Sequence, residues 1–243
     1  MPEQPKINKD THFIKMYGLQ RSGTNYLTHL INNNFKNTNV LVNIGGWKHG
    51  YYNLSEILGK ELDVMVITKN PYAWLWSVYD YWSPPKKLNI GPDLTDVSFE
   101  QFLHSKAIFE RQRGVPYLIR AENPIQYWNN LNYHWSTINM EKGKVCMITY
   151  ESLLYNMHHV LIQIMKGFGL EPKSEDLDFV GCKKTFTPAG ETLSPSKEEF
   201  KKENYYTQKK YMQHYTESSV QFVNEQLDKD LMRRLGYSLE EAK

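Results

Sequence analysis

Residues 12–31 read HFIKMYGLQRSGTNYLTHLI, and their pattern decides the fold class. The run 12–17 is short, apolar and β-prone and stops at Gly18, which predicts a strand followed by a glycine-containing turn. From Thr24 onward Tyr26, Leu27, Leu30, Ile31 and Phe35 recur at helical spacing, and Asn32, Asn33 and Asn34 supply the polar end where that helix stops. The unit recurs downstream. Residues 62–68 (LDVMVIT) are almost continuously apolar, as a central parallel strand must be when both its faces are covered. They run into Lys69-Asn70-Pro71, and a proline suits the first turn of a helix because its missing N–H costs nothing there. Trp74, Leu75, Val78, Tyr79 and Trp82 then continue at helical spacing.

Working outward, 40–44 (VLVNI) predicts a second strand, closed by Gly45 and Gly46 and followed by WKHGYY at 47–52. Residues 144–150 (KVCMITY) predict a fourth buried strand, and 152–168 a long helix. Residues 99–111 and 124–140 carry helical patterns, and two helices are expected near 200–215 and 220–235. Alternation of strand and helix implies a parallel sheet wrapped by helices, a three-layer α/β/α fold. At 243 residues a single domain is expected over 1–243, with a flexible 1–10 and a surface insertion at 83–97, rich in proline, glycine and lysine.

Composition narrows the function. Twenty-nine basic against 27 acidic residues leave a formal charge of +2, far from the basic excess of a nucleic-acid-binding protein, so no nucleic-acid partner is expected. Two cysteines, Cys146 and Cys182, are too few for a disulfide framework or a four-ligand zinc site. The polar N-terminus lacks a signal-peptide apolar core, and no stretch approaches the ~20 apolar residues that span a bilayer. The expectation is a soluble, cytoplasmic protein with no membrane partner.

Three strand-end loops carry the chemistry, because ligands in open parallel sheets bind at the carboxyl ends of the strands, where helix N-termini point at anions. Residues 18–23 spell G-x-x-x-x-G and invite comparison with the nucleotide-binding P-loop. That loop would continue with Lys and then Ser or Thr to reach the outer phosphates and magnesium. Here Thr24 and Asn25 follow, and the cation, Arg21, precedes the second glycine. No acidic residue ends the 62–68 strand to ligate magnesium. No metal is expected.

YGLQRSGTNYL at 17–27 resembles the 5′-phosphosulfate loop of sulfotransferases that use 3′-phosphoadenosine 5′-phosphosulfate (PAPS) as donor. ITKNPYAWLWS at 67–77 resembles that family's 3′-phosphate segment, in which a strand ends in Arg-Asn-Pro and a serine follows eight residues after the arginine; Lys69 to Ser77 is the same interval, with lysine in place of arginine. ITYESLL at 148–154 resembles the segment near the adenine, and LMRRLGY at 231–237 is a looser likeness. The resemblance implies a P-loop sulfotransferase fold. It implies that Arg21, Ser22, Gly23, Thr24 and Asn25 hold the 5′-phosphosulfate, that Tyr26 flanks adenine, that Lys69 and Ser77 hold the 3′-phosphate, and that Tyr150 approaches the base. The product would be 3′,5′-adenosine bisphosphate (PAP). A lysine at position 69 offers a point charge where arginine offers a bidentate fork.

Transfer from such a donor needs a base for the acceptor proton and a cation near the departing phosphate. His49, beside Lys48 in the loop after the second strand, is the candidate base, since the family's base commonly comes from this part of the fold; its titration range suits the task. Arg21 and Lys48 are the candidate catalytic cations. The aromatic residues near 74–82 and 127–135 are either core or a platform for a planar or sugar-like acceptor. Lys197, Lys201, Lys202, Lys209 and Lys210 could include a further 3′-phosphate ligand. The acceptor stays open between small molecule and glycan, hydroxyl and amine. A P-loop kinase and a non-catalytic phosphonucleotide-binding module are the alternatives.

Overall fold

A computed structural model describes residues 11–53, 62–83, 96–110, 118–140, 142–177, 181–187, 190–196 and 203–241. The expected flexible 1–10, nearly all of the 83–97 insertion, and Lys197, Lys201 and Lys202 lie outside them. The chain is a mixed α/β protein built on a four-stranded, wholly parallel sheet. Its strands are β1 (His12–Tyr17), β2 (Thr38–Leu41), β3 (Asp63–Thr68) and β6 (Val145–Thr149), in the spatial order β2-β1-β3-β6. Helix α1 (Thr24–Asn34) follows β1 and α2 (Pro71–Trp82) follows β3. Among the described residues no helix is long and apolar enough to cross a membrane.

The order explains the burial. β3 has a neighbour on each side and all six of its residues are buried, as its unbroken apolar run requires. β6 is an edge strand with only Ile148 buried, so the expectation of a fully covered fourth strand is corrected. The core beneath the sheet combines Leu27, Leu30 and Ile31 of α1 with Val64, Val66, Trp74 and Leu75.

Several boundaries differ from the sequence reading, including those of both C-terminal helices. β2 begins earlier than 40–44, at Thr38, because the turn at Asn37 (φ 47°) sets its register, pairing Thr38 with His12; Val42, Asn43 and Ile44 leave the sheet. The 99–111 helix ends at His104 as α3 (Phe99–His104), started by a capping box of Ser98 and Gln101, and the chain extends into β4 (Ala107–Glu110), which pairs antiparallel with β5 (Leu118–Ala121). Helix α4 is Pro124–Ser136. The 152–168 helix is two, α5 (Tyr150–Tyr155) and α6 (Met157–Phe168), broken where Asn156 leaves helical geometry (φ −143°, ψ 46°). Beyond them lie a hairpin, β7 (Gly181–Thr187) with β8 (Gly190–Ser196), then α7 (Glu203–Thr207), a 3₁₀ turn at Lys210–His214, α8 (Glu217–Gln226) and α9 (Lys229–Arg234).

Candidate functional site

The strings at 17–27, 67–77 and 148–154 leave the sheet at the carboxyl ends of the adjacent strands β1, β3 and β6. Tyr17 pairs with Val66, and Thr68 with Thr149, so the turns after them are neighbours. They touch closely. A Cβ on Gly18 would fall 2.6 Å from the Ile67 carbonyl oxygen, and one on Gly23 would fall 2.5 Å from the Tyr150 ring. Gly23 also sits at φ 96°, where a side chain is strained, so glycine is required there twice over. Arg21 adopts φ 66° without being glycine, a conformation that costs free energy and has to be imposed by its surroundings.

Within the 18–25 loop the expected ligands divide. Arg21 is exposed, its guanidinium 4.2 Å over the Tyr81 ring of α2. No side chain caps α1 and no acid stands in its first turn, so Gly23, Thr24 and Asn25 present a helix N-terminus whose partial charge is positive. Ser22 is buried, and both its N–H and its hydroxyl donate to the Leu19 carbonyl, at 3.1 and 2.7 Å, so it shapes the turn. Tyr26 is buried, with its hydroxyl donating to the Met157 sulfur at 3.5 Å.

The second loop, 42–53, is stitched onto the first. Gly18 N–H donates to the Lys48 carbonyl at 3.0 Å, and His49 Nδ1 donates back to the Gly18 carbonyl at 2.5 Å. A carbonyl only accepts, so the proton of the neutral His49 ring is on Nδ1 and its basic nitrogen is Nε2. Lys48 Nζ donates to Asn25 Oδ1 at 2.5 Å, placing an ammonium at the first turn of α1. Arg21, Thr24, Asn25, Lys48 and His49 are therefore drawn together by direct contacts or by their common loop.

The third loop is more self-contained. Asn70 caps α2, its side chain accepting from Tyr72 N–H and Ala73 N–H at 3.0 and 3.3 Å. Lys69 is 1% exposed. Its ammonium donates to Tyr206 Oη at 2.7 Å and to the Arg21 carbonyl at 3.4 Å, and lies 5.0 Å and 4.7 Å over the Tyr150 and Tyr206 rings. The expected open phosphate ligand is thus buried beneath α7 in this conformation. Tyr150 is likewise buried, packed against Gly23 and edge-on to Tyr206. Glu151 accepts from Asn70 N–H and from the Tyr237 hydroxyl, both at 3.0 Å, tying the third and last strings to the second. Burial pushes the Glu151 carboxyl up, while these hydrogen bonds and the nearby Lys69 charge act against the rise. Ser77 is half-buried on α2. Three residues before it Trp74 bonds the Gln20 carbonyl, and four after it Tyr81 carries Arg21, so helical spacing turns Ser77 toward the first loop.

The aromatic residues brace these loops, a role the sequence reading did not assign. Trp74 Nε1 donates to the Gln20 carbonyl at 2.7 Å, Trp128 Nε1 to the Lys69 carbonyl at 2.9 Å, and Trp135 Nε1 to the Gly50 carbonyl at 3.0 Å. Each buried indole satisfies its donor on one of the three loops. Tyr127 Oη lies 3.0 Å from Gln20 Oε1 and 3.2 Å from the His49 carbonyl, bridging two of them. The signal was present as aromatic residues at helical spacing, which by itself does not distinguish packing from bracing.

Lys209 is exposed and paired with Glu240 at 2.7 Å, and Lys210 opens the 3₁₀ turn. No protein-family model matches the chain, and a search of curated proteins returned no match.

Proposed function

We propose that the chain is a sulfotransferase of the three-layer P-loop sulfotransferase fold, moving a sulfuryl group from PAPS to an acceptor hydroxyl or amine and releasing PAP. The observation that carries this reading is the convergence, at the carboxyl end of a parallel sheet, of an uncapped helix N-terminus with Arg21, Lys48 and the Nδ1-protonated His49. Such a site binds an anion and supplies a base without calling on a metal. Gly23, Thr24 and Asn25 would hold the 5′-phosphosulfate through backbone amides, with Arg21 and Lys48 offsetting charge. In the transfer, the acceptor oxygen bonds sulfur as the bond from sulfur to the phosphate oxygen breaks. The electron pair goes to that phosphate oxygen, and the acceptor proton goes to His49 Nε2.

Lys69 and Ser77 would meet the 3′-phosphate, and a phosphate reaching Lys69 displaces the Tyr206 hydroxyl. That prior engagement of Lys69 favours one second reading, a non-catalytic phosphonucleotide-binding module. Calorimetric titration of the purified chain with PAP in the presence of a chelator, against ATP with magnesium, tests the proposal. Preferential binding of PAP supports it and preference for magnesium ATP overturns it in favour of a kinase. Donor binding without sulfuryl transfer across an acceptor panel selects the module.

A further inference from the structure

A surface groove of about 620 Å³ lies between Tyr51 of the 42–53 loop, α4 and the α8–α9 junction. Its size falls within the range of small-ligand sites. Two of the five most exposed large apolar side chains among the described residues, Tyr51 (43% exposed) and Tyr133 (51%), line it. Their company is mostly neutral: Asn130, Gln126 and His134, with the single carboxylate of Asp228. His134 accepts Tyr52 N–H on Nε2 at 3.1 Å, and burial lowers its pKa, so the ring is neutral and Nδ1 carries a donor proton.

The groove is built in advance. Gln126 and Asn129 of α4 donate to the Gln226 carbonyl at 3.2 and 2.8 Å, and Asp228 N–H donates to Asn129 Oδ1 at 3.2 Å. Tyr51 is held edge-on to His134 at 4.9 Å, and the Arg234 guanidinium lies 5.4 Å over Tyr133. Exposed aromatic rings beside amides and a carboxylate match one ligand chemistry well. A pyranose offers a face of C–H groups, weakly positive, to the negative face of a ring, and a rim of hydroxyls to amides and carboxylates. A phosphate or nucleic-acid backbone would meet one guanidinium, Arg234, against one carboxylate, Asp228, and so no net positive charge among these residues.

We infer that this groove binds a neutral saccharide, with Tyr51 and Tyr133 as stacking platforms and Asn130, Asp228 and His134 as hydroxyl partners. The inference rests on the groove alone and does not require sulfuryl transfer. Saturation-transfer NMR on the full chain with maltotriose, cellotriose, triacetylchitotriose and lactose tests it. At least one should show transfer to its ring C–H protons at about 10 mM or below, and Tyr51→Ala and Tyr133→Ala should each weaken it roughly ten-fold. Tyr133→Phe should retain most of the affinity, since the ring face remains. PAP binding should be unchanged in all three variants, which also reports that they fold. No binding by any of the four sugars, or binding indifferent to both alanine variants, overturns the inference whatever the outcome with PAP.

Discussion

The turn that follows β1 and the turn that follows β3 have the same plan, strand into loop into helix, yet they finish their hydrogen bonds in opposite ways. After β3, Asn70 caps α2, and Lys69 and Glu151 are bound by Tyr206 and Tyr237. After β6 the pattern is the same, with Thr149 accepting from Ser152 N–H at 3.0 Å. After β1 no side chain caps α1; the loop is instead held from outside, by Lys48, His49, Trp74 and Tyr127. A helix end finished by its own side chain stabilises the fold, and one left open inside a rigid frame can receive an anion at little cost in reorganisation. Under the proposed function the contrast gives the 5′-phosphosulfate to the β1 turn and leaves the β3 turn a mainly stabilising part, with Lys69 reserved for the 3′-phosphate.

The sharpest break of that contrast is at His49. His49→Ala should lower sulfuryl transfer by ~10²-fold, with PAP affinity nearly intact, because it removes a base and leaves the α1 amides in place. Retained activity in a steady-state assay removes His49 from this role. Gly23→Ala comes next: with φ at 96° and the Tyr150 ring in the way, it should cost about 2 kcal/mol of stability or more in denaturant unfolding, and abolish PAP binding. Arg21→Gly separates strain from charge. It should leave stability unchanged or raise it by up to about 1 kcal/mol, since glycine accepts φ 66° freely, while weakening PAP roughly ten-fold by calorimetry. The smallest effect belongs to the other turn. Asn70→Ala should cost about 1 kcal/mol of stability and leave PAP affinity within about two-fold.

How much of this was legible in the sequence follows from which forces are local. β1, β3, α1 and α2 were readable because their apolar periodicity and the Asn70-Pro71 start are local signals. The break at Asn156 and the end of α3 at Ser105 were hidden, because apolar residues continue past both while the backbone changes conformation at one residue. Register was also out of reach: β2 is fixed by pairing with His12 and by the turn at Asn37, and not by its most apolar residues. The site shows the same division. Spacing identified the loops carrying Arg21, Lys48, His49 and Lys69, because those positions are set by strand ends. Burial was not legible, since Lys69 is covered by Tyr206, which lies 137 residues further along the chain. The contacts of Ser22 and Tyr26 were equally hidden, one with Leu19 inside the loop and one with Met157 across the core.

Under the proposed function the donor's 5′-phosphate end meets the open turn and not the capped one. Amide chemical shifts of the ¹⁵N-labelled chain, followed through a titration with PAP, test it directly. The largest shifts are expected at Gly23, Thr24 and Asn25, with smaller ones at Tyr72 and Ala73, whose N–H groups Asn70 already holds beside Lys69. Shifts concentrated at Tyr72 and Ala73, or none at the α1 turn under saturating PAP, would contradict it.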